Sequence, residues 1–230
     1  MSSDALLELK NVHKKYPLPN GEECVVLSAV DLKIWSGSST AIVGPSGSGK
    51  STLLHIAGLL DKVTSGDVIL SGENTTEMLE EQKRLLRRDH IGFVFQDHQL
   101  LPQATVLENV LLPCLAKGMV EKKSELYQRA LDLINNVGLS ERINHVPGQL
   151  SGGECQRVAV IRSMINKPKL ILADEPSGAL DKKNTEQLCE MLLGFQSSSQ
   201  VALMLVTHSM DLADRMQKKY RLDSAHLIEG

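Results

Sequence analysis

The sequence predicts an α/β fold built around a mostly parallel β-sheet. Four short apolar runs lie at 40–43, 91–95, 170–173 and 201–206. Strands that are apolar throughout are typical of parallel sheets, because helices cover both faces of such sheets. Helical patterns lie between the runs, and this alternation of strands and helices indicates an α/β core.

Two helices between these strands have clear patterns. The first is predicted over 50–60, directly after the first apolar run. The second is predicted over 181–195, where apolar side chains recur on one stripe of the helix. That stripe consists of Leu188, Met191, Leu192 and Phe195.

The first forty residues indicate a different arrangement. The segments 7–12, 25–27 and 32–34 have strand patterns, and the stretch 17–21 has the proline and glycine content of a turn. A further strand is predicted over 68–70, between two glycines. We expect these strands to form a small antiparallel sheet that leans on the core.

A helical region is predicted between the second and third apolar runs. The stretch 99–146 has no strand pattern, whereas 106–115 and 124–137 have helical spacing and Gly138 gives a stop signal. We therefore predict one domain over 1–230 with three parts. These are an antiparallel part at about 1–40 and 66–72, a core at about 41–96 and 160–230, and an inserted helical subdomain at about 97–159.

The composition is that of an ordinary globular protein. The 230 residues are 42% hydrophobic and 23% charged, with a formal net charge of −3. No basic stripe of the kind that binds nucleic acid stands out. Four basic residues at 83–88 follow three acidic residues at 77–81, an order that complements the dipole of a single helix. We therefore expect no nucleic-acid partner.

Cysteine spacing and apolar segments bear on the compartment. The four cysteines lack the spacing of metal or redox sites, which favours free thiols in a reducing compartment. Charged residues interrupt the first ten positions, unlike a secretory signal. The apolar run 201–206 is far shorter than the roughly 20 residues that span a bilayer. We expect a cytosolic protein that meets a membrane through another subunit or its own surface.

A glycine-rich motif gives the strongest indication of chemistry. The segment G-P-S-G-S-G-K-S at 44–51 fits the phosphate-loop pattern and lies between a predicted strand and a predicted helix. Its backbone N–H groups and the helix N-terminus attract phosphate oxygens. Lys50 is predicted to reach the β- and γ-phosphates, and Ser51 to bind Mg²⁺. The sequence therefore predicts a P-loop NTPase core that holds ATP with Gly44, Pro45, Ser46, Gly47, Ser48, Gly49, Lys50, Ser51 and Thr52.

Two adjacent carboxylates follow the third apolar run. Ligands of α/β sheets gather at the carboxyl ends of strands, where Asp174 and Glu175 are expected. Asp174 is predicted to bind Mg²⁺, and Glu175 to act as the base toward the attacking water. Such a pair before Pro176 would by itself be interpreted as a solvated turn, but the phosphate loop favours the catalytic interpretation.

A second phosphate site is predicted at the segment L-S-G-G-E, 150–154. Ser151 and Glu154 form the S-x-x-E pattern of a capping box at a helix start. Gly152 and Gly153 inside this box leave backbone N–H groups open to an anion. Taken alone, the segment would be interpreted simply as a good helix start.

These motifs, in this order, resemble those of the nucleotide-binding subunits of ATP-binding-cassette (ABC) transporters over nearly the whole chain. L-S-G-G-E is similar to that family's signature. The resemblance implies that Gln96 links Mg²⁺ and the lytic water to a membrane partner, and that His208 contacts the γ-phosphate. It further implies that Asp181 lies in an inter-subunit loop and that Tyr16 stacks on adenine.

The resemblance also implies an assembly. Two cassettes pair head to tail, most simply as a homodimer, and the signature residues and Asp181 of one face the ATP on Lys50 of the other. ATP and Mg²⁺ are the implied cofactors. Integral membrane permease subunits are further implied partners, and membrane contact occurs only through them, at the cytoplasmic face of the bacterial inner membrane.

Finer motifs resemble one branch of the family. L-L-H at 53–55, I-G-F-V-F-Q at 91–96 and T-V-L-E-N-V at 105–110 are most similar to the lipoprotein-releasing branch, with macrolide-exporter and cell-division relatives nearby. The implied function is an ATPase that drives lipoprotein release. The alternatives are a macrolide or peptide exporter and a cell-division-type scaffold. A cassette protein acting on DNA or ribosomes is disfavoured, because the chain lacks room for long coiled-coil insertions or a second cassette.

Overall fold

A computed structural model describes residues 5–115, 122–178 and 180–230 as two β-sheets with helices packed against them. The strands are β1 Leu7–Pro17, β2 Glu23–Ile34, β3 Ser39–Val43, β4 Ser65–Leu70, β5 Glu73–Asn74, β6 Ile91–Phe95, β7 Leu170–Asp174, β8 Ala202–Thr207, β9 Lys218–Asp223 and β10 His226–Glu229. The α-helices are α1 Lys50–Ala57, α2 Glu80–His90, α3 Val106–Leu111, α4 Lys123–Asn136, α5 Gly152–Met164, α6 Lys182–Ser199 and α7 Met210–Ala213. Within those same ranges, the helices fall short of the length and apolar character that a membrane crossing requires.

The larger sheet has six strands in the order β10-β9-β3-β8-β7-β6. The strands from β9 to β6 run parallel, whereas β10 pairs antiparallel with β9 at the edge. This arrangement confirms the predicted α/β fold with a mostly parallel sheet.

Both faces of this sheet are covered, one by α1 with strands β1, β2 and β4 and the other by α5, α6 and α7, which explains the continuous apolar runs. All residues of β3 and β8 are buried. Successive side chains of a strand point to opposite faces. Accordingly, Ile42 packs in one apolar cluster, whereas Ala41 and Val43 pack in another, and Leu172 and Ala173 divide in the same way. The sheet therefore separates two apolar cores.

The smaller sheet is antiparallel, with the order β2-β1-β4-β5. It confirms the strands predicted for the first forty residues and for 68–70, with one difference. The segments 25–27 and 32–34, predicted as two strands, are the two halves of β2. Ala29 between them has a φ of 51°, and the pairing register with β1 shifts nearby. This irregularity interrupts the alternation of side chains, so the sequence pattern shows two segments.

Helix ends differ from prediction where the backbone turns. α1 stops at Ala57 rather than at Leu60, because Leu59 takes a positive φ of 58°. α3 ends at Leu111 and continues as a 3₁₀ turn, because Pro113 has no N–H to donate to the preceding turn. α6 instead continues beyond its predicted end at Phe195 and stops at Ser199, just before Gln200, which has a left-handed backbone conformation.

The charged segment forms the helix that its order predicts. α2 carries Glu80 and Glu81 in its first turn and Arg87 and Arg88 in its last. Arg84 pairs with Glu81 at 2.6 Å. These basic residues are therefore distributed along one helix.

The sequence pattern gave no indication of the last two strands. β9 and β10 are mostly exposed or half-buried, so they lack an apolar run. Their turn holds Ser224 and Ala225, at φ values of 49° and 68°. Hairpins of this kind usually have Asn-Gly or Asp-Gly there. Without that signal, the hairpin is not visible in the sequence.

A third apolar core joins α3, α4 and α5. As predicted, the described residues of 99–146 contain no strand, and α4 ends just before Gly138, which has a φ of 71°. The predicted boundary at 159/160 falls inside α5, which runs unbroken from Gly152 to Met164. The three-part division of the chain remains a proposal, in which α5 belongs to both the helical part and the core.

Gly92 of β6 marks a close approach of the sheet to α5. A Cβ atom at this position would lie 2.4 Å from the carbonyl oxygen of Ser163. Gly92→Ala is therefore expected to lower the free energy of unfolding by about 1–3 kcal/mol, because the strand or the helix must move. Urea unfolding followed by circular dichroism measures the change.

Gly194→Ala provides the matched control. Gly194 lies in α6, and a Cβ atom there would meet no atom within 4 Å. This substitution should raise the free energy of unfolding by about 0.5–1 kcal/mol, because alanine favours a helix more than glycine does. Equal effects of the two substitutions would contradict the close approach of β6 and α5.

Candidate active site

The candidate site lies where three parallel strands end. β3, β8 and β7 are neighbours in the larger sheet and pair in parallel register. Their carboxyl ends therefore open at one edge, where ligands of α/β sheets gather. The loop 44–49, the pair Asp174 and Glu175, and His208 follow or lie at these ends.

Glycine lets the loop 44–49 pack closely. Gly49, the residue before α1, has a φ of 100°, and a Cβ atom there would lie 2.9 Å from the carbonyl oxygen of Val26. A Cβ atom at Gly44 would lie 2.4 Å from the carbonyl oxygen of Leu222. Side chains at these positions would push the loop away from both neighbours. The loop can therefore keep this shape only with glycine at its two ends.

Lys50 begins α1 and turns back toward the loop. Its Nζ donates to the carbonyl oxygens of Gly44 and Pro45 at 2.9 and 3.0 Å. Only 7% of the residue is exposed, and a buried ammonium group needs such acceptors. Phosphate oxygens form stronger bonds with an ammonium group than carbonyl oxygens do. The arrangement therefore suits an anion bound between Lys50 and the loop.

Two oxygen ligands lie next to this lysine. The hydroxyl of Ser51 donates to Oδ1 of Asp174 at 3.2 Å. Burial raises the pKa of Asp174, and the bond from Ser51 together with the nearby His55 and Lys50 partly opposes that effect. A hydroxyl and a carboxylate placed in this way fit a hard cation such as Mg²⁺. A bound cation would also stabilise the ionised form of this half-buried carboxyl group.

Glu175 and His208 are in direct contact. Oε2 of Glu175 accepts from Nδ1 of His208 at 2.8 Å and from the His208 N–H at 3.2 Å. The Glu175 backbone has a positive φ of 44°, and its N–H donates to the Val206 carbonyl at 2.9 Å. Backbone strain of this kind persists only where the surrounding structure holds it. The end of β7 thus fixes the predicted base in place.

One cavity brings most of the predicted ATP-binding residues together. It has a volume of about 470 Å³, within the roughly 300–1,000 Å³ of typical ligand pockets. Among its lining, the predicted residues are Ser46, Gly47, Gly49, Lys50, Ser51, Thr52, Gln96, Glu175 and His208. Val26, which the sequence did not single out, lines it as well.

The loop after β6 places Gln96 in this cavity, and α5 holds that loop. Nε2 of Gln156 donates to the last carbonyl of β6 at 2.9 Å. The Arg162 guanidinium donates to the carbonyl oxygens of His98 and Gln99, each at 2.7 Å. Sequence reasoning missed both α5 side chains, because glutamine and arginine in a helix are usually exposed. Their partners lie more than sixty positions away.

Tyr16 lies beside this cavity and outside its lining. Its hydroxyl donates to Oδ2 of Asp61 at 2.6 Å, and Nζ of Lys14 lies 4.6 Å from the ring centroid. Burial and the Asp61 contact raise the pKa of Tyr16, and the side chain of Thr52 acts in the opposite direction. The backbone of Tyr16 pairs with Cys24 of β2, two residues before Val26, which lines the cavity, so the tyrosine is close to the edge of the cavity.

The signature segment forms the predicted helix start. Oγ of Ser151 accepts from the Glu154 N–H at 3.3 Å, and the Ser151 N–H donates to Oε2 of Glu154 at 2.7 Å. The capping box is thus complete in spite of the two glycines between its ends. It begins α5, the helix that also holds the loop of Gln96.

The two predicted phosphate sites of one chain remain largely separate. Among the described residues that line the 470 Å³ cavity, none comes from 151–154. Gly152 lines a neighbouring cavity of about 620 Å³ together with Gln96 and Asp174. Within one chain, the structure therefore brings Gly152 near the catalytic edge but leaves Ser151, Gly153 and Glu154 outside both linings.

Asp181 caps α6 and is linked to the signature through Asn184. Oδ1 of Asp181 accepts from the Asn184 N–H at 2.8 Å, and both carboxylate oxygens accept from the Asn184 amide at 3.0 Å. A Cβ atom at Gly153 would lie 2.5 Å from Oδ1 of Asn184. Asn184 therefore connects the Asp181 loop with the start of α5, a link for which the sequence contains no signal.

This contact predicts different effects for the two signature glycines. Gly153→Ala should lower the free energy of unfolding by about 1 kcal/mol relative to Gly152→Ala, because Asn184 must move and lose its bonds to Asp181. A Cβ atom at Gly152 would meet no atom within 4 Å. Urea unfolding of the nucleotide-free protein measures the difference.

Asn184→Ala supplies the background that checks this explanation. Without the asparagine side chain, Gly153→Ala and Gly152→Ala should have similar effects on stability. A difference that persists in this background would show that another contact of Gly153 is responsible.

Sequence comparison identifies relatives of the whole chain. The model of the ABC transporter family matches residues 27–178. The lipoprotein-releasing system ATP-binding protein LolD of Nitrobacter hamburgensis is 42% identical over 222 residues, which cover 96% of this chain and 94% of that protein. LolD 1 of Rhodopirellula baltica is 45% identical over 223 residues, which cover 97% and 96% of the two proteins.

Solved structures share the fold. The ATP-binding cassette MJ0796, in a dimeric post-hydrolysis state bound to ADP and Pi, matches with a TM-score of 0.88 and 38% identity over 97% of each chain. A second dimeric structure of this bacterial ABC transporter cassette matches with a TM-score of 0.87 and 39% identity over 96% of each chain. These matches confirm the predicted fold class. The chain belongs to the ABC transporter family.

Proposed function

We propose that this chain is the ATPase subunit of an inner-membrane ABC transporter and that two cassettes form the hydrolytic unit. The observation that carries the proposal is the 470 Å³ cavity, where Lys50, Ser51, Gln96, Glu175 and His208 meet. These residues supply the ammonium group of Lys50, side-chain oxygens that suit a metal ion, and the carboxylate of Glu175, all next to a phosphate loop. Phosphoryl transfer to water requires such a set.

The residues of this chain position the substrate ATP. The backbone of 44–49 and the N-terminus of α1 attract phosphate oxygens. Lys50 exchanges its two carbonyl acceptors for β- and γ-phosphate oxygens. Glu175 accepts a proton from the attacking water, and His208, which is bonded to Glu175, contacts the γ-phosphate. Positioning and charge stabilisation supply most of the rate.

Ser51, Asp174 and Gln96 are the residues that would hold Mg²⁺. The bonded oxygens of Ser51 and Asp174 fit a hard cation, and Gln96 lines the same cavity as Ser51. When bound, Mg²⁺ supplies positive charge for the phosphate oxygens. Burial raises the pKa of Asp174, and a cation at this place would favour the ionised form of its carboxyl group.

The second cassette completes the site in this proposal. Ser151 and Gly152 are exposed at the start of α5, where helix N–H groups can meet the γ-phosphate on a neighbouring subunit. Gly153 and Glu154 continue this start of α5, and the exposed Asp181 is connected with it through Asn184. We assign all five residues to the surface that faces the ATP of the second cassette. The two MJ0796 structures are dimers, which supports a paired arrangement for a chain of the same fold.

Lipoprotein release is the transport function that the relatives support. The LolD proteins of Nitrobacter hamburgensis and Rhodopirellula baltica carry the name of a lipoprotein-releasing system. We extend that function to this chain, with integral membrane permease subunits as its partners. The cassette then lies at the cytoplasmic face of the bacterial inner membrane, in contact with the membrane through those partners.

Purification of the tagged chain from detergent-solubilised membranes tests this assembly. We expect integral membrane subunits with a large periplasmic part, together with lipoprotein cargo, to co-purify. Recovery of a division-site partner instead would favour the regulatory scaffold and contradict lipoprotein release.

Glu175→Gln tests the proposed base. The amide cannot accept the proton, so the rate of ATP hydrolysis should fall by about 10²–10⁴-fold, while ATP affinity is retained. Phosphate release and nucleotide titration measure the two quantities. Glu190→Gln, on the exposed face of α6, is the matched control and should leave both unchanged. Full hydrolysis in the Glu175 variant would eliminate this residue as the base.

Lys50→Ala tests the phosphate cradle. Loss of the ammonium group removes charge-assisted bonds to phosphate, so ATP affinity should fall by about 10-fold or more. Equilibrium titration with ATP measures the affinity. Lys218→Ala, exposed at the opposite end of the sheet on β9, serves as the control. Unchanged affinity in the Lys50 variant would be incompatible with the cradle.

A further inference from the structure

A hydrogen-bonded cluster beside the cavity fixes the ring of Tyr16. It consists of Lys14, Tyr16, Asp61 and the backbone of Lys62, and it joins β1 to the turn after α1. Lys14 and Tyr16 are two residues apart on β1, so their side chains lie on the same face of the strand. We refer to these four residues as the Asp61 cluster.

Asp61 receives three hydrogen bonds. Oδ1 accepts from Nζ of Lys14 and from the Lys62 N–H, each at 2.7 Å, and Oδ2 accepts from the Tyr16 hydroxyl at 2.6 Å. Burial raises the pKa of Asp61, but these three bonds outweigh burial and hold the pKa below its ordinary value. The carboxylate therefore stays ionised and holds two side chains at once.

Lys14 occupies one face of the tyrosine ring. Its Nζ lies 4.6 Å from the ring centroid and also donates to the Lys62 carbonyl at 2.7 Å. The residue is only 7% exposed, so moving the ammonium group off its acceptors would leave a buried charge unpaired. A base that stacks on Tyr16 must therefore use the opposite face of the ring.

The ring itself is not buried by this cluster. Tyr16 remains 39% exposed, although its hydroxyl and one face are held. Tyr16 pairs with Cys24 of β2, and Val26 on the same strand lines the 470 Å³ cavity and lies against Gly49 of the phosphate loop. Packing of β1 against α1 does not by itself explain why the Tyr16 ring is left exposed. The ring is a fixed, partly open surface next to the phosphate loop.

We propose that Asp61 and Lys14 are positioning residues that hold the Tyr16 ring in place for stacking with the purine base of the bound nucleotide. The inference rests on the proposed function and on the role in adenine stacking that the family resemblance implies for Tyr16. α1 begins with Lys50. Asp61 follows the C-terminal turn of this helix, and the backbone N–H of Asp61 donates to the carbonyl oxygen of His55. One helix thereby sets the spacing between the phosphate loop and the ring. A ring fixed in advance loses less conformational entropy on binding than a mobile ring does.

Two conservative variants test the proposal. Tyr16→Phe and Asp61→Asn disrupt the contact between the hydroxyl and the carboxylate but keep the ring and the side-chain size. Each variant is titrated with ATP and with inorganic tripolyphosphate, which has no base. We expect ATP affinity to fall by about 3- to 10-fold, the effect of one net hydrogen bond, and tripolyphosphate affinity to stay unchanged. The double variant should bind ATP no more weakly than the weaker single variant, because both changes remove the same contact.

Asp214→Asn is the matched control. It disrupts another aspartate–lysine pair, with Lys219 at 2.6 Å, whose residues do not line the cavity. This variant should change neither affinity. Both ligands are measured on one preparation, so the ratio of their affinities does not depend on the folded fraction. An equal loss for both ligands in the Tyr16 and Asp61 variants, or no loss for ATP, overturns the proposal.

Tyr16→Ala separates failure of this proposal from failure of the proposed role of the tyrosine. If Tyr16→Ala leaves the ratio of ATP to tripolyphosphate affinity unchanged, base stacking on Tyr16 is wrong, and the positioning role falls with it. If Tyr16→Ala lowers that ratio while Tyr16→Phe and Asp61→Asn do not, stacking stands and the positioning role alone is wrong.

Discussion

Parallel pairing of β3, β8 and β7 is the constraint on which the site depends. The register places Val43 opposite Thr207 and Asp174 opposite Val206, so the ends of these strands meet. For that reason Ser51 and Asp174, which are 123 positions apart, come within hydrogen-bond distance. A slip of two residues in this register would displace the carboxylate by about 6–7 Å. The phosphate loop and the predicted base would then no longer share one cavity.

α5 extends this constraint from the sheet to the helical part. Its first turn carries the signature, Gln156 and Arg162 farther along the helix hold the loop of Gln96, and Ser163 in its last turn lies against Gly92. A single helix therefore contacts the surface proposed to face a second cassette, the catalytic edge and the sheet. The predicted boundary at 159/160 falls within this helix.

The sequence predicted those parts of the fold and the site that have a pattern in neighbouring residues, and it missed those that depend on contacts between distant residues. β3 and β8 were predicted because burial on both faces leaves a continuous apolar run. β9 and β10 are mostly exposed or half-buried and leave no such run, and Ser224 at their turn lacks the glycine signal. The phosphate loop is a contiguous motif, so each of its residues could be identified from the sequence. Asp61, Gln156 and Asn184 are ordinary polar residues in the sequence. Their positions depend on contacts that only folding creates, such as the bond between Asp61 and Tyr16, 45 positions apart.

The contact of Lys50 with two carbonyl groups of its own loop has a consequence for how substitutions affect the site. Both acceptors are backbone oxygens, of Gly44 and Pro45, so a change of side chain at position 45 does not remove them. Any change that moves this backbone also moves the lysine, because its buried ammonium group depends on these oxygens. Gly44, which lies close to the Leu222 carbonyl, therefore determines the path of the loop and the position of the ammonium group together.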